Sequence, residues 1–182
     1  MCNLKRILRG NALIIVLSIL SPFILSPIVM AADHEGNVSA TVQVTNVSLT
    51  ITNGSFDYGT LSISDTEDTT VNGLNISTPV ITNKGNVAQN FKVKGQNSSS
   101  AGAGWGLESS PAAEKYAHST CIADCDTDPI WTALTTENAV LASNIAKDAT
   151  VEMDLQIETP TSTTDFNQQT VIVDVQAVVY EG

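Results

Sequence analysis

Beyond residue 33 the apolar positions recur with a period of two, carried by Val and Ile among Thr and Ser. Such alternation predicts β-strands with one buried and one wetted face. Ala40, Val42 and Val44 share one parity and Val47, Leu49 and Ile51 the other, so the switch near Thr45-Asn46 predicts a bulge or a strand that changes sheets. Asn53-Gly54 reads as a turn, followed by a strand through Tyr58, Leu61 and Ile63 and a polar loop from Asp65 to Thr70. Leu74 to Thr82 and Val87 to Lys94 read as strands joined by Asn83-Lys84-Gly85-Asn86, whose Asn and Gly tolerate the positive φ of a tight hairpin. Val151, Met153, Leu155 and Ile157 alternate again, as do Val171, Val173, Val175, Ala177 and Val179, with a polar connection from Pro160 to Gln169 between them. Helical periodicity is nearly absent. Roughly seven to nine short strands within one domain's length predict an all-β fold, a single antiparallel β-sandwich of immunoglobulin-like kind over residues 33–182.

The segment from Gln96 to Asp148 breaks the rhythm and reads as a long irregular insertion. It opens with the Gly/Ser/Ala tract Asn97 to Gly104, and Ser110-Pro111 is placed to start a short helix. Long insertions in compact domains often carry binding. Trp105, Tyr116 and Trp131 fall here, either as plugs of the core or as a platform for a sugar ring. Cys121 and Cys125 also fall here and are expected to form a disulfide, with a modest entropic effect because the loop is short. His118-x-x-Cys121-x-x-x-Cys125 is the rival, metal-binding reading, but it supplies only three ligands. Asp124, Asp126 and Asp128 alternate like the first ligands of a calcium loop. Pro129 and Thr135 occupy the places of the turn glycine and the bidentate glutamate, which leaves an irregular Ca²⁺ site or a solvated acidic loop. No cofactor is otherwise expected.

The first 32 residues differ in kind. Lys5, Arg6 and Arg9 precede an apolar run from Ala12 to Met30 that closes on Ala31-Ala32, the pattern of a signal peptide cut near residue 32. An uncleaved anchor and a leader cut after Gly10 are the alternatives. On the first reading the protein is secreted or displayed at the cell surface, touches a membrane only through that segment, and retains Cys121 and Cys125 as its cysteines. It also loses three of its eight basic residues and none of its nineteen acidic ones, leaving a net charge of about −14. Such a surface repels phosphate backbones, so nucleic acid is not an expected partner. HExxH, a nucleophile elbow, a phosphate loop and a dinucleotide fingerprint are all missing, and no enzymatic activity is expected.

Phe56-Asp57-Tyr58-Gly59-Thr60-Leu61, Gly104-Trp105-Gly106-Leu107 and the alternating C-terminal strand resemble WxL-type cell-wall-binding domains, although Val173-Asp174-Val175-Gln176-Ala177 stands where a second Trp-x-Leu element belongs. The resemblance implies non-covalent attachment to peptidoglycan. Asn83-Lys84-Gly85-Asn86 resembles a turn of surface sandwiches that include camelysin-like fibre subunits. Two functions follow as expectations. One is a structural protein of the surface or extracellular matrix whose partners are itself or other surface proteins, assembling by donation of the strand Ala40 to Ile51. The other is a module that binds cell-wall glycan, steadied by calcium.

Overall fold

The computed structural model describes residues 39–182, so the signal segment lies outside the described residues. Every regular element among those residues is a strand: β1 (Leu49–Thr52), β2 (Thr66–Asp68), β3 (Val80–Asn83), β4 (Gln89–Gly95), β5 (Gly106–Glu108), β6 (Lys115–Cys121), β7 (Thr132–Ala133), β8 (Ala139–Ile145), β9 (Thr150–Glu152), β10 (Asp154–Glu158) and β11 (Val173–Val179). Three sheets result, with strand orders β1-β3-β9, β2-β10-β6-β5 with β7 also on β6, and β11-β4-β8. All pairs are antiparallel except β5 with β6. The expected all-β sandwich is the fold. Its core joins the sheets through Ile81 of β3, Phe91 and Val93 of β4, Leu107 of β5, Tyr116 of β6 and Met153, Leu155 and Ile157 around β10. In β4, alternate residues from Gln89 to Gly95 are buried, the inward face of a period-two strand.

The turn Asn83 to Asn86 is not a hairpin. β3 and β4 never pair with each other; they are successive halves of one bent strand that faces β8 and β9 throughout. Val80 opposes Glu152 and Val93 opposes Ala139, and between them Asn83 and Ala149 keep the ladder continuous across the bend. The Asn83 side chain explains the geometry. Fully buried, it donates to Val87 O at 2.9 Å and Ile145 O at 2.8 Å and accepts Gly85 N at 2.8 Å. One amide thus satisfies backbone groups that the bend removes from the ladder, which would otherwise be buried without partners. Gly85 is required by space: a Cβ there would collide with the Asn46 carbonyl and the Gln89 side chain.

Residues before β1 lie along this bend. Lys84 N and Gly85 N donate to Ser48 O, Asn86 N donates to Asn46 O, and Asn86 Oδ1 accepts Asn46 N at 2.7 Å. Leu49 to Thr52 pair with β3 of the same chain, so the strand Ala40 to Ile51 is not free over its whole length. The parity switch near Asn46 marks where the chain meets the bend.

Other differences have similar causes. Residues 56–62 form a strap without strand pairing, because Gly59 and Ser64 adopt positive φ (77° and 59°) and Asp57 Oδ1 caps Gly59 N. Pairing begins instead in the polar Asp65 to Thr70 stretch, where β2 is an edge strand that a polar sequence suits. The alternation from Val151 to Ile157 is split at Met153, whose N donates to Pro79 O; β9 stays with β3 and β10 crosses to β6. The segment 96–148 keeps its irregular Gly/Ser tract but also supplies β5 to β8, including the buried centre of a sheet, β6. Ser110-Pro111 starts no helix. Glu114, at φ 56°, turns the chain into β6.

Replacing Asn83 by Ala should lower stability by about 2–3 kcal/mol in urea unfolding, because the Val87 and Ile145 carbonyls lose their donor.

Candidate functional site

Residues of the 96–148 segment come to lie in three separate places. Cys121, at the end of β6, is joined to Cys125 by a disulfide (Cα–Cα 5.9 Å) that closes a small loop. With both sulfurs bonded, the His118-Cys121-Cys125 metal reading has no thiolates to use.

Asp124 is exposed within that loop, and Asp126 and Asp128 are exposed in the turn just after it. Asp124 adopts φ 53° and its carbonyl accepts Thr127 N and Asp128 N, a self-contained turn. Asp126 reaches outward: its carboxylate accepts Val71 N at 2.9 Å and its carbonyl accepts Asn72 Nδ2 at 2.9 Å. The turn after Cys125 is therefore pinned to residues 71–72 by protein hydrogen bonds. Among the described residues no group of three His, Cys, Asp or Glu is arranged to hold a metal ion.

The three aromatic candidates do not form one platform. Tyr116 is fully buried in β6 and donates its hydroxyl to Gln96 O at 2.5 Å, so it cannot meet an external ligand. Burial pushes that phenol's pKa upward. Trp105 is half-buried, with its ring centroid 6.4 Å from that of Tyr116 and its indole N–H on Thr163 Oγ1 (3.0 Å) and Asp165 O (3.3 Å). It is a plug of the core's rim. Trp131 stands half-buried beside β7, in no ring pair with the other two.

Two polar hubs were not legible in the sequence. Asp165, near the Trp105 indole, accepts from Ser100 Oγ, Gly104 N, Asn167 N and Asn167 Nδ2. These donors, the Ser100 hydroxyl first, hold its carboxyl well below the usual range. Glu114 is lowered likewise, first by the Thr163 hydroxyl and then by Thr164. Together they tie the polar connection after Pro160 to the Gly/Ser tract and the turn before β6.

The second hub lies in the core. Tyr58 of the strap meets His118 of β6 through its hydroxyl and Nε2 at 2.9 Å, and the two rings pack edge to face with centroids 5.9 Å apart. His118 is 1% exposed, and its Nδ1 has no partner. Burial lowers its pKa to about 4 and, with Asp68, Tyr116 and Glu67 adding to it, raises that of Tyr58. The imidazole is thus neutral at pH 7, shut from solvent and bound to one hydroxyl. Its role on this geometry is to fasten the strap to the sheet.

The fold class, an all-β sandwich stapled by one short disulfide loop, is defined by these features. No protein-family model, curated protein or solved structure matches the chain.

Because the folded-state pKa of His118 lies below its unfolded value of about 6.5, the unfolded chain binds the proton more readily and stability falls as pH drops from 6.5 to 4. Thermal or urea unfolding over that window should lose on the order of 3 kcal/mol from this group. His118→Gln should remove that component of the slope. Tyr58→Phe should cost about 1–2 kcal/mol at pH 7 and leave the slope in place.

Proposed function

We propose that the chain is a non-enzymatic, secreted structural protein of the cell surface or extracellular matrix that self-assembles by strand donation. The observation that carries this reading is the arm Ser39 to Thr45. It lies outside every strand and is exposed, with Val42 and Val44 at 93% and 79% exposure, and Val44 O accepts Asn86 Nδ2 at 2.7 Å. Ala40, Val42 and Val44 give it the alternation of a strand that buries one face. Residues 39–45 carry no charge, although Asp33 and Glu35 precede them in the exported chain, so this stretch adds no repulsion of its own to the approach of another copy. The pairing of Leu49 to Thr52 with β3 narrows the donated segment to this arm. An unpaired edge in a second molecule would take it as an added strand.

Light scattering of the exported chain, residues 33–182, across a concentration series tests this. Mean mass should rise with concentration, and removal of residues 33–45 should hold the chain monomeric with its melting temperature unchanged. A wild-type chain that stays monomeric, and that wall glycan retains in a pull-down, would replace assembly with the binding-module reading.

A further inference from the structure

We infer that Asn53-Gly54 is a self-modifying site, at which the folded chain converts its own asparagine to aspartate and isoaspartate, while the fold protects the other Asn-Gly pair, Asn72-Gly73. This holds whether or not the chain assembles. An asparagine followed by glycine is the pair in which the next amide nitrogen most readily reaches the side-chain carbonyl carbon, because glycine has no Cβ to obstruct the approach. Sequence marks both positions alike. The structure separates them.

Asn53 follows the last residue of β1 in the left-handed region, at φ 56°, and Asn53, Gly54 and Ser55 are all exposed to water. Among the described residues Gly54 N donates no hydrogen bond, and the Asn53 side chain makes a single one, Nδ2 to Thr78 O at 3.2 Å, the long end of the normal range. Pairing with β3 ends at Thr52 and residues 53–62 belong to no strand, so no ladder opposes the rotation that brings Gly54 N to Asn53 Cγ. Asn72-Gly73 is held at both reacting groups. Gly73 N donates to Thr70 O at 3.1 Å, Asn72 N to Thr70 Oγ1 at 3.3 Å and Asn72 Nδ2 to Asp126 O at 2.9 Å. The flanking bonds, Val71 N to Asp126 Oδ1 and Leu74 N to Asp68 O, fix the same turn, which is so tight that a Cβ on Gly73 would collide with the Asp68 carbonyl.

The chemistry needs water and no other reagent. Gly54 N gives up its proton and bonds to Asn53 Cγ, the Cγ–Nδ2 bond breaks, and Nδ2 leaves with a proton as ammonia, which closes a cyclic imide. Water then opens the ring. Breaking the new N–Cγ bond yields aspartate; breaking the bond between Gly54 N and the main-chain carbonyl carbon of Asn53 yields isoaspartate, with the chain rerouted through Cγ. Nothing is oxidised or reduced: a water is taken up and an ammonia released. Either product adds a carboxylate and removes the donor from Thr78 O, so the end of β1 loses its tie to the residue before Pro79.

Incubation of the exported chain, residues 33–182, in mildly alkaline buffer tests this by peptide mass mapping with enzymatic methylation of isoaspartate. In the folded chain Asn53 should convert about tenfold faster than Asn72 or more, because Asn72 must first release its hydrogen bonds. In concentrated urea, where neither pair is held, the two rates should come together. Gly54→Ala, whose added Cβ meets only the flexible Ile51 side chain, should slow conversion several-fold in a chain that still folds by circular dichroism. Asn72 converting as fast as Asn53 in the folded chain would overturn the inference. So would an Asn53 that converts in urea and not in the folded chain. Asn53→Asp should speed hydrogen exchange in β1 and leave β4 unchanged; unchanged exchange in β1 would overturn the loss of the tie.

Discussion

A bend in one strand pair governs the architecture. A long antiparallel ladder does not by itself make a sandwich; it must turn so that its two halves close over a core, and each turn exposes backbone groups that have lost their partners. Here Asn83 meets that cost with one side-chain amide inside the bend, Gly85 lets the Asn46 carbonyl approach, and Ser48 and Asn46 take the amides of residues 84–86. Ile81 before the bend and Phe91 and Val93 after it can then point into the same core. The crossing of the chain at Met153 into the sheet of β6 closes the other wall.

With that frame set, the remaining walls are held by polar side chains as much as by apolar ones. The strap carrying Phe56, Tyr58 and Leu61 has no ladder of its own and depends on the Tyr58–His118 contact and on Thr159, whose hydroxyl donates to Ser62 O at 2.7 Å and accepts Asp65 N at 2.9 Å. Asp165 and Glu114 do the same for the Gly/Ser tract and the polar connection. The four ion pairs among the described residues, all at exposed side chains and 3.6–3.9 Å long, add little. A chain with few basic residues has used hydroxyls and amides where others use salt bridges.

The class of fold was legible because period-two alternation at Val87 to Lys94 and at Val171 to Val179 has one physical meaning, a strand with two unlike faces. The disulfide was legible from two cysteines four residues apart. What could not be read was which strand each run pairs with. Asn83-Lys84-Gly85-Asn86 has the composition of a hairpin turn and also of a bend, and only the partners of β3 and β4 separate the two. β6 escaped notice because Tyr116 to Cys121 is buried on both faces and so does not alternate. Of the site candidates, Tyr116 was misplaced for the same reason. An aromatic residue in such a strand fills the core.

The pairing pattern also bears on how the chain reaches its native state. β2 with β10 and β11 with β4 join residues roughly 80 to 90 positions apart, so neither ladder can form until a large loop has closed. β4 and β8, nearer in sequence, can meet earlier and leave an uncharged edge exposed while the slower strands arrive. The interval before closure is then the time at which concentration matters most, and an acidic surface that keeps unfinished molecules apart serves as protection against premature association.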